Sequence, residues 1–292
     1  MIQTIEAKSL LNPVKQPDTW FGLKYNMNLY RGCQHRCIYC DSRSQCYGID
    51  RFDQDVLVKA NAPELLRAEL ARKRVKGTIG TGSMNDPYMP IEKKLNLTGR
   101  ALAVIAEFRF PVHVITKSDL VVRDADVLQH ISQTYTAVSF TITTADDDLG
   151  RRVEPGAPRP SARLRAMAQL AARGIYTGVT LMPVLPYLQD NPDNIRDVIR
   201  QAADSGAQYI LASFGVTLRD RQRAYFYAEL DRRFPGVRGR DERRFGEQYF
   251  APARQFEALT AVFKETCAEL NLSRRIRPYT SQQATQLSLF PD

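Results

Sequence analysis

Three cysteines fall within eight positions of the segment RGCQHRCIYCD, residues 31–41: Cys33, Cys37 and Cys40. Thiolates bind soft metals, and what such a trio can do depends on whether a fourth ligand closes the set. A structural zinc site takes four ligands, usually as two pairs, and no second pair is present; His35, inside the loop, would be a makeshift fourth ligand. Three thiolates can instead hold three irons of a [4Fe-4S] cluster and leave the fourth iron open to a small molecule, an arrangement suited to catalysis rather than electron storage. Cys46 and Cys267 are isolated, so the five cysteines do not form the even, spaced set of a secreted disulfide framework.

The elements around the loop predict where it sits. Segments rich in β-branched and apolar residues at 24–30, 77–83, 112–117, 137–144, 178–184 and 209–214 read as strands, and amphipathic stretches at 62–75, 98–108, 161–173 and 192–205 read as helices. Ser161 and Asn191 are candidate N-caps, Pro192 suits a first helical turn, and Gly174 and Gly206 suit C-terminal stops. Six alternations of strand and helix imply an α/β fold with parallel crossovers and a curved or barrel-like sheet, whose chemistry collects at the C-terminal strand ends. The cysteine loop follows the first strand, where such a site is expected. With 292 residues and 43% apolar content the chain can bury a full core. The first residues lack the apolar core of a signal peptide, and the longest apolar run, ALAVIA, is too short to span a bilayer, which predicts a cytoplasmic protein.

The formal charge of +9 points weakly to a polyanionic partner. Between Arg219 and Arg244 nine arginines meet five acids, interleaved with Tyr225, Phe226, Tyr227 and Phe234. Guanidinium groups hold phosphates while aromatic faces stack on bases. The same pattern also describes an amphipathic helix with its aromatics in the core and its charges solvated.

The CxxxCxxC spacing with Tyr39 before the last cysteine resembles the radical S-adenosylmethionine (SAM) enzymes. The segment NLYRGCQHRCIYCDSR is similar to their spore photoproduct lyase branch, and GTGSMNDPYMPIEKK, VITKSDLVVRD, VSFTITTADDDLGRRVEPGAPRPSARL and GVTLMPVLPYLQD resemble successive segments of that branch. The resemblance implies a partial (β/α)6 barrel of the TIM type over residues 24–215. An N-terminal extension (1–23), a helical basic and aromatic region (216–280) and a tail (281–292) would flank it. It also implies a cluster on Cys33, Cys37 and Cys40, SAM on the open iron, an electron donor such as flavodoxin or ferredoxin, and hydrogen abstraction by a 5′-deoxyadenosyl radical.

Further roles follow from the matched segments. Tyr39 would lie near the adenine, Ser83, Asn85 and Asp86 around the SAM amino end, Lys117 by its carboxylate, and Ser139 or Thr141 by the ribose hydroxyls, with Arg152 and Glu154 next. Spore photoproduct lyase returns a hydrogen atom from a cysteine in the segment after the second strand, where this chain has only Ser83, a poorer donor. Cys46 or Tyr88 would be the substitutes, the other reading of Cys46 being a buried, inert residue, and Asp41 follows the last ligand where relatives often carry an aromatic residue.

Near the C-terminus, Gln286, Leu287, Ser288, Leu289 and Phe290 resemble the pentapeptide by which bacterial repair and replication proteins dock on the DNA sliding clamp, two apolar anchors filling a pocket while the glutamine fixes orientation. Together these features predict a monomeric radical SAM enzyme acting on DNA, on a damaged base. The alternatives are a radical SAM enzyme modifying RNA, a peptide or a small molecule, and a non-catalytic iron–sulfur or zinc adaptor of a repair complex.

Overall fold

The structure, a computed structural model, describes residues 1–14, 18, 20–52 and 54–280. Among these, six parallel strands run in sequence order across one sheet: β1 (Tyr25–Met27), β2 (Ile79–Thr81), β3 (Val112–Thr116), β4 (Thr136–Thr141), β5 (Tyr176–Leu181) and β6 (Tyr209–Ala212). Leu11–Pro13 pairs antiparallel with β1 at one edge. The crossovers carry α1 (Ala62–Ala71), α2 (Leu97–Glu107), α3 (Ala125–Ile131), α4 (Asp147–Val153), α5 (Pro160–Ala172) and α6 (Pro192–Asp204). This is the α/β arrangement with parallel crossovers expected from the alternating pattern, with strands one to four residues shorter than their apolar segments.

The two faces of the sheet have different neighbours because successive side chains alternate. Val138 and Phe140 of β4, Val179 of β5 and Ile210 of β6 share the main core with helix residues such as Leu102, Leu170 and Ile199. The opposite face turns inward. There Ser139 stands in register with Gly178 and, through it, Tyr209. A Cβ on Gly178 would come within 2.5 Å of the Tyr209 ring, so glycine at this point lets the ring lie across β5. Phe21, Tyr209, Ile276 and Tyr279 close this end of the barrel.

Helix punctuation matches the sequence in most places. Asn191 caps α6 by accepting from the Asn194 N–H at 2.8 Å, and Ile195, Val198, Ile199 and Ala202 make its buried stripe. Burying each of the three larger aliphatic side chains stabilises the fold by about 1.5–3 kcal/mol. Gly174 and Gly206 adopt φ of +77° and +82° just past α5 and α6. Ser161 is not a cap: α5 begins a residue earlier, with Arg159 at the cap position and Pro160 in the first turn, and the Ser161 hydroxyl donates to Asp147 at 2.6 Å.

Two strand pairings fall outside the sequence reading. Ile2–Ile5, Tyr30–Arg31 and Val56–Lys59 form a separate three-stranded sheet, so the first residues are built into the fold. Beyond β6, β7 (Gly215–Thr217) and β8 (Phe250–Pro252) pair antiparallel and enclose α7 (Asp220–Arg233) and α8 (Val237–Phe245), followed by α9 (Phe256–Glu269). Phe226, Tyr227, Leu230, Phe234 and Phe245 pack in one apolar cluster with Cys37, Ile38 and Tyr39, so this region lies on the cysteine loop. Of the two meanings open for the arginine-rich stretch, the amphipathic one describes these aromatics. Several of its arginines hold the chain itself: Arg221 donates to the carbonyls of Arg43 and Ile49, and Arg223 to those of Leu218, Gly246, Glu247 and Gln248. No helix among the described residues is long and apolar enough to cross a membrane.

Candidate active site

A cavity of about 380 Å³ opens at the C-terminal strand ends, where a parallel barrel gathers its chemistry. Every barrel strand contributes through its following loop. Cys33, Cys37 and Cys40 come after β1, Ser83, Asn85 and Asp86 after β2, Lys117 after β3, Thr141 at the end of β4, Met182 after β5 and Ser213 after β6. Val216, Thr217 and Phe250, from the β7–β8 ribbon, close one side.

The cysteine loop is held from outside the cavity by the chain after α4. Ile38 N–H donates to Val153 C=O at 3.0 Å, Gly156 N–H donates to His35 C=O at 2.8 Å, and the Tyr39 hydroxyl donates to Glu154. A Cβ on Gly156 would sit 2.2 Å from Gln34 O, so the loop and this strap touch backbone to backbone. Glu154 pairs with Arg163 at 2.5 Å, both side chains 1% exposed, and Arg163 also donates to the carbonyls of Pro158 and Thr141. Burial disfavours the Glu154 carboxylate, but Arg163 and then Lys117 outweigh it and hold its pKa below the ordinary value.

The donors around the sulfurs suit a cluster. Backbone amides of Asp86 and His35 lie near the Cys33 sulfur, and the backbone and hydroxyl of Ser42 near that of Cys40, where they favour the thiolates. Lys117 stands near Cys37 and Cys40. Burial pushes the Cys33 thiol up to about 12, with the charges of Asp86 and Cys40 adding to it, and burial raises Cys37 and Cys40 too. Thiols so placed become thiolates when a cationic metal centre compensates them. Among the described residues no group of three or more His, Cys, Asp or Glu side chains is drawn together around a single ion position. Three cysteines lining one cavity, with the Lys117 ammonium near two of them, are a donor set that fits a cluster taking its three ligands on separate irons.

His35 is not a fourth ligand in this arrangement. Its Nδ1 lies 3.3 Å from Asp86 Oδ2, and its Nε2 is buried without a hydrogen-bond partner while the ring lines the cavity. Asp86 is fully engaged: Oδ1 accepts from Thr116 Oγ1 at 2.7 Å and Tyr88 N at 2.9 Å, and Oδ2 accepts from Lys117 N at 2.6 Å besides facing His35. Burial works against its charge, yet His35 and these donors hold its pKa at about 2. Asp86 therefore organises the ends of β2 and β3 rather than offering free lone pairs. Asn85 donates to Tyr30 C=O at 2.6 Å, and Ser83 stands exposed at the rim.

Several expected residues lie elsewhere. Ser139 does not line the cavity: two residues below Thr141, its hydroxyl bonds to both His113 Nε2 and Tyr209 OH at 2.7 Å. Arg152 is on the outside, over the Phe234 ring at 4.0 Å and donating to Arg233 C=O. Glu154 stands behind Tyr39. Tyr88 is 1% exposed and its hydroxyl donates to Asp124 at 2.9 Å, away from the cavity. Cys46 is exposed, not buried, and lies beside the mouth rather than in it, its sulfur 3.3 Å from Ser44 Oγ and 3.5 Å from an Arg219 nitrogen. Gln286, Leu287, Ser288, Leu289 and Phe290 lie outside the described residues.

Arg163, Gln222 and the Asp86–His35 contact were missed from sequence. Gln222, buried in α7, donates to Tyr39 C=O at 3.2 Å. Arg163 carried a weak signal, an arginine on the apolar side of α5.

Residues 27–202 match the radical SAM superfamily. The chain belongs to this superfamily. It is an enzyme of the radical SAM type, a family that uses a [4Fe-4S] cluster and SAM. An uncharacterized protein of Mycobacterium tuberculosis strain H37Rv is 30% identical over 292 residues, spanning 98% of this chain and 85% of that protein. A radical SAM Nalpha-GlyT isomerase of Pseudomonas phage M6 is 25% identical over 182 residues, 62% of this chain and 37% of the phage protein. In fold, the chain is similar to spore photoproduct lyase solved with bound AdoMet and dinucleoside spore photoproduct, with a TM-score of 0.69 at 14% identity, covering 92% of this chain and 78% of the lyase.

Proposed function

We propose that this radical SAM enzyme acts on DNA, repairing or processing a damaged base, and is brought to its substrate by the bacterial sliding clamp through Gln286, Leu287, Ser288, Leu289 and Phe290. The observation that carries the reading is the mouth itself: a cavity of about 380 Å³ with three cysteines on one wall. A space of that size takes small-molecule groups, so a polymer reaches it only by presenting a single extruded base. The net charge of +9 favours a polyanion. A solved protein of the same fold holds a dinucleoside lesion, which supports a nucleic-acid substrate.

Within this reading Cys33, Cys37 and Cys40 hold the cluster, which with SAM supplies a hydrogen-abstracting 5′-deoxyadenosyl radical. Lys117 would meet the SAM carboxylate, Asn85 and Ser83 its amino group, and Thr141 a ribose hydroxyl, while Tyr39, its hydroxyl held by Glu154, would lie near the adenine. Ile115, Met182, Val216 and Phe250 give the cavity an apolar wall that excludes water.

The lining carries no thiol beyond the three ligands, so a reaction finished by a cavity cysteine has no support. A rearrangement needs no external hydrogen donor, because the atom removed can return to the product; the relative named an isomerase supports such a course. The deciding experiment supplies base-deuterated damaged DNA, undamaged DNA and RNA to reconstituted, dithionite-reduced enzyme with SAM. Deuterium from DNA appearing in 5′-deoxyadenosine, or in SAM where the atom returns and SAM is reformed, is expected. Label from RNA alone would replace DNA as the substrate.

A further inference from the structure

Beside the cavity runs a second groove of about 750 Å³, and the two share Ser213 and Phe250. Its walls carry three large aromatic rings with free surface: Trp20 is 48% exposed, Phe256 47% and Phe250 37%. They are held in place from beneath. Phe256 meets Phe214 edge-on at 6.2 Å, and Phe214 meets Phe263 edge-on at 5.8 Å. Phe250 lies over Gly215, where a Cβ would approach its ring to 2.4 Å, so glycine there lets the ring reach the cavity mouth.

The charge on the groove has one sign. Lys264, Arg274 and Arg275 line it, all exposed, and among the described residues no acidic side chain does. Phe256, Thr260 and Lys264 follow one another at four-residue spacing along a single face of α9. Arg274 and Arg275 stand on a segment fixed to β6 by Ile210 N–H donating to Ser273 C=O at 2.8 Å and Ser273 N–H donating to Gln208 C=O at 3.2 Å. Arginines of α7 such as Arg221 and Arg223 are spent on backbone carbonyls. These three cations, in contrast, make no hydrogen bond or ion pair from their side chains to other described residues.

We infer that this groove holds an unpaired stretch of the DNA strand next to the nucleotide presented to the cavity. Bases stack on Trp20, Phe256 and Phe250 while phosphates meet Lys264, Arg274 and Arg275. The inference rests on the DNA reading above and adds to it the path and the state of the strand. Flat rings with exposed faces bind bases only when those bases are unpaired, and a row of cations without acids matches a phosphate backbone. The shared wall at Phe250 makes the path continuous with the site of chemistry. A duplex would hide the bases from all three rings.

The test measures fluorescence anisotropy of a short labelled single-stranded oligodeoxynucleotide, its duplex and the matching RNA with the full chain. Variants are Phe256→Ala and the triple Lys264→Glu, Arg274→Glu, Arg275→Glu, whose sites are exposed. Expected results are a preference for single-stranded DNA over duplex and RNA, and a loss of roughly tenfold or more in each variant. The triple variant should also show a shallower salt dependence. Unchanged binding in a triple variant of normal circular dichroism and melting temperature overturns the inference. So does equal weakening on duplex, or tighter binding of RNA. A deuterated dinucleotide lesion too short to fill the groove separates the two ideas. If it labels 5′-deoxyadenosine normally while the variants bind strands like the parent, only the groove assignment fails; if no DNA substrate transfers label, the DNA reading itself fails.

Discussion

Glu154 accepts the hydroxyl hydrogen of Tyr39, 115 residues earlier in the chain, while its other oxygen faces the guanidinium of Arg163. The pairing locks the aromatic residue inside the cysteine motif to the chain after α4. All three side chains are buried, so their disruption has an order that can be measured.

Glu154→Gln leaves the Arg163 charge without its counterion and should destabilise the apo-protein by about 3–5 kcal/mol. Tyr39→Phe removes one donor and leaves the ion pair, for about 1–2 kcal/mol. Adding Arg163→Met to Glu154→Gln should restore part of the loss, because the two charges disappear together. Urea unfolding under argon gives the three values. A Tyr39→Phe variant weaker than Glu154→Gln would contradict the ion pair as the principal contribution.

Iron retention should separate the cysteines. Alanine at Cys33, Cys37 or Cys40 should cut reconstituted iron sharply and abolish 5′-deoxyadenosine formation. Cys46→Ala, outside the cavity, and Cys267→Ala, on the buried face of α9, should both keep iron and the deoxyadenosine product. Chemical iron analysis with a product assay decides it. Loss of iron from Cys46→Ala would require a different ligand set.

Asp241 predicts a pH response of unusual sign. Burial, chiefly, raises its pKa to about 6, while the Tyr227 hydroxyl at 3.1 Å opposes the shift and Glu242 adds to it. Its folded pKa exceeds the unfolded value near 3.9, so the native state binds the proton more tightly between those limits. Stability should therefore fall as pH rises from about 4 to about 6, by about 1–2 kcal/mol after allowance for solvent screening. Asp241→Asn should remove that component and match or exceed the parent above pH 6. Denaturation midpoints across this window test it, and an unchanged slope in the variant would refute the assignment.

The clamp proposal has its own measurement. A chain ending at Thr285 should lose affinity for the purified bacterial sliding clamp, and Leu287→Ala with Phe290→Ala should reproduce the loss by removing both anchors. Titration by calorimetry or surface plasmon resonance suffices. Equal affinity of the full and shortened chains would eliminate docking through this segment.

Sequence made some of this architecture legible for identifiable reasons. Cys33, Cys37 and Cys40 announced themselves by spacing, and β3 and β4 by continuous β-branched runs, as expected for strands buried on both faces. Asn191 and Pro192 marked a helix start by chemistry that needs no partner from elsewhere. Depth was not legible. Ser139 and Thr141 share a face, yet only the register with Gly178 and Tyr209 shows that Ser139 lies below the cavity. Tyr88 was a candidate hydrogen donor from its place after the second strand, but its hydroxyl is bonded to Asp124, 36 residues later. The arginines of α7 left two readings open, a phosphate surface or a solvated helix face, because their carbonyl partners, such as that of Arg43, lie 178 residues away.

The fastening of the cysteine loop dictates an order of manufacture. Its sulfurs are translated early, yet Val153, Glu154 and Gly156 emerge more than a hundred residues later, and Gln222, Phe226 and Phe234 later still. A growing polypeptide that has passed Cys40 has its ligands and the Cys40–Cys37 backbone bond, but not the struts from the chain after α4 and from α7. Metal loading into the finished geometry therefore waits until the ribosome has delivered nearly the whole protein, and truncated chains should be poor acceptors of iron even with every cysteine intact.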